Sequence, residues 1–256
     1  MMRVVKIGGR TQSDSRVPDA LRQAWTNSPN SLCVVHGGGD EISSMQRALG
    51  REATFVGGRR VTSQSDLELL RMVLSGLVNK RLVNSLVAAG IPAVGLSGED
   101  GALIGAELID ASSLGLAGRP TVINAELLRT LMAAGYVPVI SPVGYDAASG
   151  KGGTLNVNGD DAAAAIAASL EADELLLIAD VEGVRGARGE FVQNLSVESS
   201  RELIASGVAA GGMAAKLESA HLAILAGVDR VRICDLAGLA DSERGTFITQ
   251  SQGVVS

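Results

Sequence analysis

Two lysines, one aspartate and several glycines carry the chemistry this sequence can offer. Lys6 stands in the apolar run Val4 to Ile7 just before Gly8-Gly9, Lys216 lies in the first turn of a helical pattern after Gly211-Gly212-Met213, and Asp160 closes Asn156-Val157-Asn158-Gly159 ahead of an alanine-rich helix. All stand at element ends, where open α/β sheets gather their ligands. The stretch Val34-Val35-His36-Gly37-Gly38-Gly39 reads as a strand, a glycine turn and a helix start. Without Cβ atoms the backbone N–H groups can approach an anion closely, and the positive end of the helix adds to their pull. Such a set suits phosphoryl transfer, whose transition state spreads negative charge over equatorial oxygens and needs ammonium and N–H donors rather than a covalent partner. A carboxylate acceptor, with a pKa near ~4.3, is already ionised and needs no general base. That fits a chain with only 2 histidines.

Other motifs lack their partners. His36-Gly37-Gly38-Gly39 resembles the oxyanion segment of esterases, but no Gly-x-Ser-x-Gly elbow accompanies it, and His221 lies in a helical stretch. Gly150-Lys151-Gly152 has the wrong glycine spacing for a phosphate loop and no Ser or Thr after the lysine. No Gly-x-Gly-x-x-Gly follows a strand, and Cys and His show no metal-ligand spacing.

The elements that must position these residues alternate. Strands are expected at Val4 to Ile7, Leu32 to Val35, Ala93 to Leu96, Val137 to Ile140, Glu174 to Ile178 and Val228 to Cys234, with helical patterns between them. A hairpin is expected within Ala53 to Thr62, and Ser65 with Glu68 fits a capping box opening a long helix, kinked at Gly76, to Ala89. Residues 102–122 read as less regular. The alternation predicts an α/β fold, a three-layer αβα sandwich with an open, mostly parallel sheet and a lobe boundary near residue 170.

Composition sets limits. The 256 residues suffice for a sizeable core, and with 46% hydrophobic but 2% aromatic residues that core is aliphatic. Few aromatics and a net charge of −6 argue against nucleic acid and for a small-molecule partner. Cys33 and Cys234 both lie in apolar runs, as buried thiols of a reducing compartment do. No signal peptide or apolar run of ~18 residues is present, so a cytoplasmic location is expected.

Taken together, Lys6 to Gly9, His36 to Gly39, Arg60-Val61-Thr62, Gly95 to Gly101, Asn156 to Asp160, Asp180 to Val184 and Gly211 to Lys216 resemble the amino-acid kinase family, in the family's order. The resemblance implies the carbamate kinase-like version of the sandwich. Residues 1–170 would form an N-terminal lobe for the acyl amino acid and dimerisation, and 171–256 a C-terminal lobe for ATP, on one continuous sheet.

Within the family the chain resembles the branch acting on N-acetyl-L-glutamate, so the implied reaction is ATP-dependent phosphorylation of its γ-carboxylate, the second step of arginine biosynthesis. Lys6 and Lys216 would stabilise the transferring group and Asp160 would hold both lysines. Gly37, Gly38, Arg60, Asn156 and Asn158 would bind the acceptor, with Arg60 on its α-carboxylate. Gly8, Gly9, Asp180, Gly183, Gly212 and Met213 would meet ATP, and Mg²⁺ would be carried mainly by the phosphates with no protein ligand set. The long helix after Ser65 would make a homodimer.

Lys6 as an ordinary strand-end lysine, Arg59 facing solvent, His36 as a structural residue, Asn156 in an Asx turn, Asp161 as a helix cap and Met213 as packing are each expected from local pattern alone. Asp40, Glu99, Arg10 and Arg59 depart from the family's usual residues, and the added positive charge would suit a larger or more anionic acyl group. N-succinyl-L-glutamate or a carrier-linked aminoadipate are therefore alternative acceptors, and an amino-acid sensor is the alternative class. Lys6 stands too near the start for the helix that assembles hexamers in the family, so a dimer insensitive to arginine is expected.

Overall fold

The computed structural model describes residues 1–149 and 152–250, and for Gly9 and Arg10 the backbone only. Lys151, weighed above as part of a phosphate loop, lies outside the described residues.

The chain begins with β1 (Arg3–Ile7), a short 3-10 turn, α1 (Val17–Asn27), β2 (Leu32–His36) and α2 (Gly39–Ala48). The expected hairpin is β3 (Phe55–Val56) and β4 (Arg59–Arg60), joined by Gly57 and Gly58 at φ of +55° and +74°. Positive φ at both central residues matches the twist of a two-residue hairpin, which is why two glycines stand there.

Next come α3 (Gln64–Arg71), a π-helical stretch at Met72–Val78 and α4 (Asn79–Ala88). The irregularity expected at Gly76 is this π segment. The capping box is at Ser63 and Asp66 rather than at Ser65 and Glu68. Ser63 Oγ accepts from the Asp66 N–H at 3.2 Å, and the Asp66 carboxylate accepts from the Ser63 N–H at 3.3 Å. Aspartate here does what glutamate usually does at the third helical position.

There follow β5 (Ala93–Ser97), β6 (Ile104–Leu108), the single turn α5 (Ala111–Leu114), β7 (Ala117–Ile123), α6 (Ala125–Ala133), β8 (Val137–Ser141), β9 (Val143–Asp146) and β10 (Thr154–Val157). The last part holds α7 (Gly159–Ser169), β11 (Glu174–Ile178), β12 (Asn194–Ser196), α8 (Val197–Ala205), α9 (Gly211–Leu225), β13 (Arg230–Cys234) and β14 (Thr246–Thr249).

The main sheet has the order β12-β14-β13-β11-β1-β2-β8-β5, parallel except that β14 and β12 run against the rest. Strands before residue 170 occupy one half of it and strands after 170 the other. Its centre is buried on both faces, and such strands read as unbroken apolar runs, as in Leu32 to Val35 and Leu175 to Ile178. One face packs with Val4, Val35 and Leu177 against α6, α7 and α9; the other packs with Val5, Ile7 and Val34 against α1 and α4. Helices α7 and α9 pack side by side on that face, and the buried Ala162, Ala163, Ala164 and Ala167 let α7 approach its neighbours closely.

The stretch 102–122, expected to be irregular, instead contains β6 and β7, which close with β9 and β10 into a small four-stranded barrel. Gly105, Gly118 and Pro120 together with a register shift at Gly105/Ala106 break the period-2 pattern that reveals strands. Cys33 and Cys234 are buried free thiols, and burial pushes both up to about 12.

Candidate active site

Strand parity decides where Lys6 points. Alternate residues of β1 face opposite sides, so Lys6 shares the side of Val4, under α7 and α9, rather than facing solvent. Its ammonium donates to Asp160 Oδ1 at 2.9 Å, and Lys216 Nζ reaches Asp160 Oδ1 and Oδ2 at 3.0 and 3.1 Å. Lys6 and Asp160 are only 6% and 5% exposed. Burial lowers the Lys6 amine to about 8, with the Asp160 charge opposing and the Lys216 charge adding to the fall. Burial alone would raise the Asp160 carboxyl, but the two ammonium groups outweigh it and hold the group at about 2.

The glycine turns meet beside this cluster. Gly37 N–H donates to the Ile7 carbonyl at 2.9 Å, and a Cβ on Gly8 would stand 2.5 Å from Lys6 Nζ. A Cβ on Gly38 would collide with Leu74 of the π segment. Helices α2, α7 and α9 begin around one cleft of about 350 Å³, so three positive helix ends converge there.

His36 is fully buried beneath the turn. Its Nδ1 contacts the Gly37 carbonyl at 2.7 Å, and the Asn79 amide meets its Nε2 at 3.1 Å. Burial lowers its pKa to about 4, so it is neutral at pH 7, with Nδ1–H donating to Gly37 and Nε2 accepting from Asn79. This is the structural role expected for it.

Arg60 forms the opposite wall. Nη1 donates to Gln46 Oε1 at 2.6 Å, Nη2 donates to the Gly39 carbonyl and Ser43 Oγ, both at 2.9 Å, and the guanidinium lies 4.7 Å from the Phe55 ring centroid. It is 7% exposed, and among the described residues no carboxylate comes within 4.0 Å of it. Burial lowers its pKa, with Asp66 and Asp40 opposing from a distance. A buried cation without a counter-ion is costly unless a ligand anion completes it.

Other predicted residues divide. Asn156 lines the cleft and donates to Thr62 Oγ1 at 2.8 Å, while Asn158 Oδ1 caps α7 by accepting from the N–H groups of Asp160 and Asp161. Gly8, Asp180 and Gly212 line the cleft. Gly183 does not; a Cβ there would stand 2.6 Å from both Phe191 and Thr246. Met213 packs against the core, and Gly9 opens the 3-10 turn after β1.

Three expectations fail, the first that Asn156 makes an Asx turn: it lies in β10 and bonds Thr62 instead. Arg59 does not face solvent: Nη2 donates to Asp161 Oδ2 at 2.9 Å and Nη1 to Glu218 Oε2 at 3.5 Å, and it lines the cleft. Hairpin neighbours do point oppositely, but α7 and α9 cover the side taken as open. Asp161 is not the cap of α7, which Asn158 supplies; it is buried between Arg59 and Ser219, whose hydroxyl donates to Oδ1 at 2.6 Å.

A cluster of two ammonium groups on one carboxylate, set at glycine turns and helix N-termini, is the equipment of a phosphotransferase. The amino acid kinase family model matches residues 1–235, and the chain belongs to that family. Among its relatives, acetylglutamate kinase of Ruegeria sp. (strain TM1040) is 42% identical, over 91% of this chain and 81% of its own. The protein of that name from Methanopyrus kandleri is 42% identical over 96% of this chain and all of its own. Of solved structures, smu.665 from Streptococcus mutans UA159 superposes with a TM-score of 0.88 at 30% identity, covering 98% of this chain and 99% of its own.

Proposed function

We propose that this chain is an ATP-dependent kinase that phosphorylates the γ-carboxylate of N-acetyl-L-glutamate to the acyl phosphate, a step of arginine biosynthesis. The observation that carries it is Asp160 gripping Lys6 and Lys216 across from Arg60, a buried cation without a carboxylate partner. The names of the relatives support the choice of acceptor.

In this reading Arg60 clamps the α-carboxylate, while Gly37, Gly38, Asn156 and Asn158 orient the rest of the acceptor. Arg60 Nε is not used by the contacts above and can donate a charge-assisted hydrogen bond to a carboxylate. Gly8, Asp180 and Gly212, which line the cleft, belong to the nucleotide side, with Gly9 in the adjoining turn. One γ-carboxylate oxygen attacks the γ-phosphorus, the bond to the β,γ-bridging oxygen breaks and ADP leaves; no proton moves. Lys6 and Lys216 stabilise charge on the transferring group, and Asp160 fixes their direction. Mg²⁺ would neutralise charge on the β- and γ-phosphates.

The halves of the sheet divide the work, residues 1–170 serving the acceptor and 171–256 the nucleotide. Met72, Leu77 and Val87, each more than half exposed along the helical stretch from Gln64 to Ala88, suit a homodimer face. A cytoplasmic location is proposed from the buried free thiols.

The test is ADP release with Mg-ATP and N-acetyl-L-glutamate, N-succinyl-L-glutamate or L-glutamate over one concentration range. Preference for the acetyl compound is expected. Preference for the succinyl compound would keep the mechanism and change the acceptor, and no turnover with any of the three would count against the kinase reading.

A further inference from the structure

Adjacent residues at two places in the chain divide their tasks in the same way. On β4, Arg60 turns towards α2 and Arg59 towards α7 and α9. On α7, Asp160 takes the two lysines and Asp161 takes Arg59. The Arg59–Asp161 pair thus ties the strand that carries the proposed carboxylate clamp to the helix turn that carries the phosphoryl cluster.

The joint is built for rigidity. Asp161 is 4% exposed and receives a second bond from Ser219 Oγ at 2.6 Å, and Arg59 also reaches Glu218 on α9. The hairpin tip presses on the same helix: a Cβ on Gly58 would stand 3.1 Å from the Gly211 carbonyl and 3.4 Å from the Ala215 Cβ. On its other side the hairpin is tied to α2 through Arg60, to β10 by Asn156 bonding Thr62, and to residues 114–116 by backbone bonds of Thr62 in both directions. Phe55 and Val56 are about half exposed, so little apolar burial fixes β3.

We propose that Arg59 is a positioning residue which, through Asp161, sets the distance between the acceptor clamp at Arg60 and the Lys6–Asp160–Lys216 cluster. The inference rests on the kinase reading above. In-line transfer demands a near-attack separation between the carboxylate oxygen and phosphorus, and a misplacement of ~1 Å can cost on the order of 10²-fold in rate. An acceptor anchored on a loose hairpin would bind without reacting.

The test combines kinetics with amide hydrogen exchange on wild type, Arg59→Leu, Arg59→Lys and Asp161→Asn. Arg59→Leu is expected to lower kcat on the order of 10- to 100-fold with the KM for ATP within about twofold of wild type. Exchange across residues 55–61 should rise several-fold in Arg59→Leu and Asp161→Asn, Arg59→Lys should recover most of the rate, and a variant combining Arg59→Leu with Asp161→Asn should lose little more than either single one. Wild-type kcat in Arg59→Leu, or a lowered kcat with unchanged exchange at 55–61, would overturn the proposal. A rise in acceptor KM alone would do the same, by making Arg59 a direct ligand contact. If wild type turned over none of the three acceptors, the kinase reading would fail, and unchanged exchange in the variants would separately refute the joint.

Discussion

Lys6 and Lys216, 210 residues apart in sequence, reach the same oxygen, Asp160 Oδ1, at 2.9 and 3.0 Å. Two cations converge on one anion, leaving one positive charge in excess where a phosphoryl group would lie. Replacing Lys216 by Ala is expected to lower kcat by ~10²- to 10³-fold, the size found when a charge-stabilising donor is removed. The KM for the acyl amino acid should change little, as a steady-state series over both substrates would show.

Activity and stability should move in opposite directions above pH 8. Lys6 titrates at about 8 in the folded chain against 10.5 ordinarily, so kcat/KM for ATP should fall on an alkaline limb near pH 8 as the ammonium is lost. The unfolded chain binds that proton more tightly, so this group's contribution makes stability rise between pH 8 and 10.5. Rate profiles and denaturant melts over the same buffers give both slopes.

Asp160→Asn removes the counter-charge and leaves two ammonium groups in a buried site. Breaking such a pair costs ~3–5 kcal/mol, which a urea melt at pH 7 resolves. Without the carboxylate that raises it, the Lys6 pKa should fall further, and any residual activity should lose its alkaline limb at a lower pH than wild type.

Arg60→Lys should raise the acceptor KM by ~10- to 100-fold, the loss of a charged hydrogen bond worth ~1.5–3 kcal/mol, because a point charge does not replace a planar fork. The KM for ATP should stay near wild type. Addition of N-acetyl-L-glutamate should raise the Tm of wild type and leave that of the variant unmoved.

Gly8→Ala should separate folding from chemistry. Gly8 has φ −123° and ψ 166°, which alanine adopts freely, but its Cβ would stand 2.5 Å from Lys6 Nζ. The flexible lysine end gives way and the fold survives, so stability should change by less than ~1 kcal/mol while kcat falls at least ~10-fold.

Much of this was legible in the sequence because buried parallel strands and glycine turns leave unbroken signals. The strands carrying Lys6 and His36 and the helices after Gly37 and Asn158 were readable as local pattern. The barrel was not, since Gly105, Gly118 and Pro120 interrupt short strands paired across distant parts of the chain. Arg59 shows a different limit. Alternation correctly sent it opposite to Arg60, but only tertiary packing shows that α7 and α9 cover that side. Asp161 looked like a cap because it stands at a helix start, whereas Asn158 had already taken that task. The convergence of Lys6 and Lys216 on Asp160 was legible only through resemblance.

The place of β1 in the sheet has a consequence for biosynthesis of the chain itself. One of its neighbours, β2, begins at residue 32, but the other, β11, begins at residue 174. During translation the β11-facing edge of the first strand must wait for some 170 residues of later polypeptide, with its amides and carbonyls unsatisfied or borrowed. A ribosome stalled before residue 174 therefore carries a nascent chain with an adhesive edge, which β11 covers before α9 has emerged to bring Lys216 to Asp160.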